Sequence, residues 1–435
     1  MEATEGQEIV GISRGAGELS FEARLADGAH HVHLRCDSDL VPPADPALLA
    51  TLLPAMRAGG ELRVRGAVSP KLLRTQAEYQ AIQRAWSLDW TLGEEPLREV
   101  EVRASARAVE PRQPTGRVAA FFSGGVDSWA TVLANPDVTD LIFVQGFDLI
   151  PGNPDHAALA PVVEARLREA AESLELSLHV VETNLREMSD PLIRWDAYNA
   201  SALAAVALLY EDAFDRVLIA SDTDHETQVP LGASRMVDQL LGSERLELVD
   251  DGGRYSRLER LRRIVDHPGV QRALRVCWRN PGAAYNCGRC RKCLLTMISL
   301  EAMGVREKIE TFPPELRLEP LEGSQMTLPI QLIFWEEVLD LVEASERPDL
   351  AASVRPLVES GKRELGLPDG FRMRRHRDMP GLGDSLRAAE ARADAAERRE
   401  AEARQQVQAI LGSSSWRLTA PLRRLADEVR RRRAQ

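Results

Sequence analysis

The sequence predicts an α/β protein: a doubly wound parallel sheet preceded by a smaller, strand-rich module. Three observations carry this. From Arg117 onward, short continuous apolar runs alternate with long helical stretches, as expected of parallel strands covered on both faces. Before that point, apolar and polar residues alternate one by one, as half-buried strands do. The chain has 435 residues, 44% hydrophobic and 28% charged, a balance that supports real cores and excludes global disorder.

Taken in order, residues 1–110 read as the strand-rich module. Gly17–Leu25, His31–Arg35, Gly60–Gly66 and Val100–Arg103 read as strands, and Tyr79–Trp86 has helical spacing. His30, His31 and His33 suggest no metal site, because neighbours in a strand face opposite sides. Cys36 reads as a small buried hydrophobe. Prolines and a glycine mark Val109–Gly116 as a linker. Strands then follow at Val118–Phe122, Leu141–Val144, Ser177–Val181 and Arg216–Ala220, with helices at Asp127–Leu133, Ala157–Leu174 and Ala197–Phe214. Right-handed crossovers wind such units onto both faces of one sheet, and ligands bind at the carboxyl ends of its strands. A helical extension, including Ile330–Glu346, completes a second domain over 117–367. A helical tail is expected over 383–435. Its middle, Leu386–Ile410, is dominated by alanine, arginine and glutamate and reads as a solvated or weakly paired helix.

Charge and leader signals narrow the classes. The net charge of −12 argues against a general nucleic-acid coat, so nucleic acid is not an expected partner. The acidic N-terminus lacks signal-peptide order, and the most apolar stretch, Ala200–Tyr210, is too short to span a bilayer. The expected location is therefore the cytoplasm. Trp416–Gln435 carries a local charge of +5, with Leu418, Leu422, Leu425 and Val429 at helical spacing. Such an end could rest on the inner face of an anionic membrane or dock on a partner protein. Four of the five cysteines crowd into one window, which reads as a metal site in a reducing compartment.

Two constellations carry chemistry. The first strand of the α/β part runs directly into Ser123-Gly124-Gly125-Val126-Asp127-Ser128, and a helix follows. Adjacent glycines let the backbone turn sharply and bring its amides close to an anion. The helix N-terminus beyond favours phosphate. Ser123 and Ser128 add hydroxyls, and Asp127 suits an N-terminal cap or a magnesium ligand. No Gly-Lys-Ser/Thr is present, so this is not the Walker-type loop. The second constellation is Cys277, followed by Cys287, Cys290 and Cys293 in a C-x2-C-x2-C run. Four converging thiolates suit zinc, with an iron–sulfur cluster as the alternative, and Arg289, Arg291 and Lys292 would offset their charge.

The hexapeptide resembles the Ser-Gly-Gly-x-Asp-Ser loop of the PP-loop ATP pyrophosphatases. With the cysteine pattern behind it, Arg117–Gly304 is similar to the 7-cyano-7-deazaguanine synthase-like members of that superfamily. The resemblance implies ATP and Mg2+ bound by Ser123, Gly124, Gly125, Val126, Asp127 and Ser128, with Asp127 and Ser128 catalytic. It implies Zn2+ held by Cys277, Cys287, Cys290 and Cys293. It further implies a ligase that adenylates a small-molecule carboxylate, releases pyrophosphate and passes the adenylate to ammonia or an amine donor. Gly146 and Phe147 end the second strand and offer backbone groups to adenine. Ser221, Asp222 and Asp224, after the fourth, offer groups to magnesium or pyrophosphate. His225 is a base by position alone. The synthases' Tyr-Pro-Asp-Cys substrate segment is missing, which separates this chain from their deazaguanine substrate. A tRNA-thiolating enzyme and a non-catalytic zinc- and nucleotide-binding module are the alternatives.

Overall fold

The computed structural model describes residues 6–39, 41–90, 95–229, 232–321, 325–326 and 328–367; the expected tail, 383–435, lies outside the described residues. The first half contains β1 (Gln7–Gly15), β2 (Glu18–Leu25), β3 (Gly28–Cys36), α1 (Asp45–Ala55), β4 (Gly60–Val68), α2 (Pro70–Trp90) and β5 (Val100–Ala106). Next come β6 (Val118–Phe121), α3 (Val126–Ala134), β7 (Asp140–Gln145), α4 (Pro154–Ser173), β8 (Ser177–Thr183), α5 (Leu185–Ser189) and α6 (Trp195–Ala207). They are followed by β9 (Arg216–Ala220), β10 (Glu247–Asp251), α7 (Arg257–Ile264), α8 (Pro268–Ala273), α9 (Arg291–Ala302), α10 (Pro329–Glu343) and α11 (Pro348–Glu364).

Among the described residues, all ten strands belong to one sheet, in the order β10-β9-β6-β7-β8-β3-β2-β1-β4-β5. The run from β10 to β8 is parallel throughout. β1, β2 and β3 form an antiparallel meander, with β4 and β5 parallel beyond it. The region expected as a module of its own therefore joins the α/β sheet edge to edge. β3 runs antiparallel to β8, with Leu34 opposite Thr183 and Cys36 opposite Val181.

Alternation in the parallel strands assigns each residue to one of two cores. Ala119, Phe121, Ile142, Val144, Val217 and Ile219 point to the face covered by α1 and α6. Val118, Ala120, Phe122, Leu141, Phe143 and Leu218 point to the face covered by α3, α4 and α7. Both faces are buried, which is why these strands read as continuous apolar runs.

Some elements escaped the sequence reading. α1 is buried along its whole length, so no polar stripe reveals its period. β10 ends in two aspartates, and the helix expected to reach Phe214 stops at Ala207 before a single 3-10 turn.

Polar groups tie the two halves together. Tyr198 and Ser201 of α6 donate to the Ala50 and Leu49 carbonyls of α1, both at 2.7 Å. Arg107 lies between Asp45 at 3.2 Å and Glu211 at 2.6 Å. Burial lifts the Asp45 carboxyl to about 6 despite the pull of Arg107. His179 on β8 spans Asp37 at 3.1 Å and Asp140 at 2.9 Å. Burial works against its charge, yet Asp140 and Asp37 raise the imidazole above its ordinary value. Among the described residues no helix is long and apolar enough to cross a membrane.

Candidate functional site

Strand order reverses at β6: the chain lays β7 and β8 on one side of it, then returns to place β9 on the other. Connections from β6 and β9 therefore diverge, and their carboxyl ends bound the crevice where sheets of this kind take ligands. The Ser123–Ser128 hexapeptide leaves β6 at that point.

The glycines are required by geometry. Gly124 has φ +75°, and a Cβ there would stand 2.9 Å from Leu167 Cδ2 and 3.3 Å from the Ala273 carbonyl. Its own carbonyl accepts from Arg275 N at 2.8 Å. Gly125 is the N-cap of α3, and Ser128 Oγ donates to its carbonyl at 3.1 Å. First-turn amides of a helix have no partner within it and lie at the positive end of its dipole. The turn thus presents donors outward, as an anion site needs.

Asp127 departs from expectation. Gly125, not Asp127, caps the helix. Both Asp127 carboxylate oxygens are taken by α7: Oδ2 pairs with Arg257, and Oδ1 accepts from Arg260 Nη1 at 2.9 Å. Burial would raise this carboxyl, but the two arginines outweigh it and hold it below the ordinary range. Arg260 is only 2% exposed. It also donates to the carbonyls of Ser221 at 2.5 Å, Thr223 at 3.1 Å and Gly252 at 3.2 Å. One guanidinium therefore gathers the segments following β6, β9 and β10. Sequence reasoning missed it, because Arg260 sits in an arginine-rich stretch that looks like a solvated helix face.

Several expected ligand groups are engaged inside the protein. Ser221 Oγ donates to Asp250 at 2.6 Å. Asp224 Oδ1 accepts from Glu226 N, Thr227 N and the Thr227 hydroxyl, each at 2.9 Å, closing its own turn. Gly146 N donates to the Leu149 carbonyl at 2.8 Å, and the Phe147 carbonyl accepts from Arg186 at 2.8 Å. Two of the backbone groups offered to adenine are therefore occupied. Gly146 has a steric role: at φ +108°, a Cβ would lie 1.9 Å from the Thr183 carbonyl. His225 is exposed, and its N donates to the Gly253 carbonyl at 2.6 Å. Asp222 remains beside the loop, accepting from Asn199 at 3.3 Å. Burial and the nearby Asp127 charge lift it to about 6.

The four cysteines converge. Their sulfurs all lie within 4.8 Å of one another, with 3.8 Å between Cys277 and Cys290 and 3.9 Å between Cys287 and Cys293. Tetrahedral zinc with bonds near 2.3 Å sets its sulfurs about 3.8 Å apart. The group fits a single metal ion such as zinc; a four-iron cluster would hold its thiolates further apart. Asn280 N donates to Cys277 Sγ and Cys290 N to Cys287 Sγ, both at 3.3 Å. Hydrogen bonding from Cys277, then Cys290, drives the Cys287 thiol well below its ordinary value. Cys290 caps α9 and Cys293 lies in its first turn.

Fold and site together define an α/β protein with a glycine turn at its strand-order reversal and a four-cysteine group close behind it. Compared with protein-family models, curated proteins and solved structures, the chain matches none.

Proposed function

We propose that this chain is an ATP-dependent ligase of the PP-loop pyrophosphatase type, similar to the 7-cyano-7-deazaguanine synthases but acting on a different carboxylate. One observation carries the reading: the Ser-Gly-Gly-Val-Asp-Ser turn leaves the strand at which the sheet reverses its order. In this reading the amides from Gly124 to Ser128 and the Ser123 hydroxyl hold the β- and γ-phosphates. They stabilise the charge that develops on pyrophosphate as the substrate carboxylate attacks the α-phosphorus. Asp127 acts through its arginines: with Arg257 and Arg260 it braces the turn and leaves the site net positive. Mg2+ would supply charge neutralisation on the phosphates, with Asp222, whose carboxylate is not paired to the α7 arginines that occupy Asp127, available to hold it. Ammonia or an amine then displaces AMP. Zinc on the four cysteines holds the 277–293 loop in place and takes no part in the chemistry.

The test is pyrophosphate release from Mg-ATP by the full-length protein against a panel of carboxylic acids with ammonium. Release that depends on one acid and yields its amide supports the ligase. Hydrolysis without acid dependence, or none across a broad panel, counts against it. Stoichiometric iron and sulfide would move the reading to the thiolating alternative.

A further inference from the structure

Lys292 belongs to the cysteine motif in sequence, and its charge was expected to serve the thiolates. Its position assigns it elsewhere. Cys290 caps α9 and Cys293 lies one residue beyond Lys292, so any ion on the cysteines fixes the first turn of this helix. On α9, residues 292, 295, 296 and 299 share a face. Leu295, Thr296 and Ser299 line a small cavity together with Val126 of the phosphate turn and Arg257 of α7. Lys292 continues that row at the N-terminal end of the helix. It is exposed, and its positive charge acts on both Asp127 and Asp222. Those two carboxylates flank the turn from different strands, one following β6 and the other β9. A flexible ammonium on this row is available to a phosphate arriving between them, whereas Arg260 is fully spent on protein carbonyls and Asp127.

We propose that Lys292 is the cation that receives the nucleotide's phosphate chain, presented to the turn by the cysteine cluster behind it. This rests on the ATP reading above. It makes the metal site an organiser of the nucleotide site through one short helix turn.

The experiment is calorimetric titration of full-length protein with Mg-ATP, inorganic triphosphate and adenosine, for the wild type, Lys292→Ala and Lys292→Arg, each checked for zinc content and unfolding midpoint. Loss of one charge-assisted contact should weaken Mg-ATP and triphosphate about tenfold in Lys292→Ala. Lys292→Arg should recover most of that loss. Adenosine affinity, zinc content and midpoint should not move, which a merely structural role would not predict. The salt dependence of Mg-ATP affinity should also become shallower in Lys292→Ala. Wild-type binding with Lys292→Ala unchanged overturns the role of Lys292 and leaves the ATP reading standing. Equal weakening of adenosine, or lost zinc, also overturns it. Failure of the wild type to bind Mg-ATP or triphosphate overturns both.

Discussion

The cysteine cluster and the glycine turn lie close together, since Arg275 binds Gly124 only two residues before Cys277. They are nevertheless held by opposite means. The cluster is assembled from one short stretch, 277–293, and completed by backbone amides on its own sulfurs. The turn is braced by groups drawn from across the chain: its own Asp127 and Ser128, Arg257 and Arg260 on α7, and Arg275 before the cysteines. Local assembly would let one event, the binding of a metal ion, hold the whole cluster. Distributed assembly makes the turn depend on the whole carboxyl edge of the sheet, and above all on Arg260. Substitutions in the two regions should therefore fail differently.

The largest effect is expected at the cluster. Structural zinc binding carries on the order of 10 kcal/mol of folding free energy. Cys290→Ser, or a strong chelator on the wild type, should remove one tightly held zinc per chain and lower the unfolding midpoint steeply. Metal analysis and thermal unfolding read both. A stable, metal-free wild-type protein would erase the contrast.

Next in size is Arg260→Met. It leaves the Ser221, Thr223 and Gly252 carbonyls without their donor and Asp127 with one partner. Breaking a buried pair of this kind costs about 3–5 kcal/mol. Denaturant unfolding should show that loss with zinc content unchanged, the reverse of the cysteine variant. Asp127→Ala attacks the same pair from the other side, and the two changes together should cost less than their sum.

Gly124→Ala should be smaller in stability and large in function. A left-handed conformation without glycine costs about 1–3 kcal/mol, and the added methyl must displace Leu167 or the Ala273 carbonyl. Mg-ATP affinity should drop with the zinc site intact. Ser123→Ala, which removes a half-buried hydroxyl, should keep the full stability and weaken Mg-ATP about tenfold. Unchanged affinity in both would detach the turn from ATP.

The smallest effect concerns the seam between the two halves. His179 has its proton affinity raised in the folded state, mainly by Asp140 and Asp37 acting against burial. Its contribution is fully present below the unfolded value of about 6.5 and fades as pH rises through the folded value. His179→Gln should lower the unfolding midpoint near pH 6 and approach the wild type near pH 9. A pH-independent difference would remove His179 from the clamp.

Sequence alone determined whatever depends on near neighbours. Continuous apolar runs gave β6, β7 and β9 within a residue or two, because both faces of each are buried, and the mixed run of β8, in which Ser177 and Glu182 are exposed, gave that strand as closely. Cysteine spacing gave the whole cluster, because the residues that converge are adjacent in the chain. The hexapeptide located the turn, because glycine conformations are local. Tertiary structure decided the rest. Only pairing of β3 with β8 joined the N-terminal strands to the parallel sheet, and a long-range register leaves no local trace. Only packing buried α1 on every side, which erased its period. Only the approach of α7 gave Asp127 two arginines in place of a cap, and only the placement of α9 brought the Lys292 charge within electrostatic reach of Asp127 and Asp222. Charges act through space, over distances at which partners can lie more than a hundred residues apart, and a linear pattern records none of that.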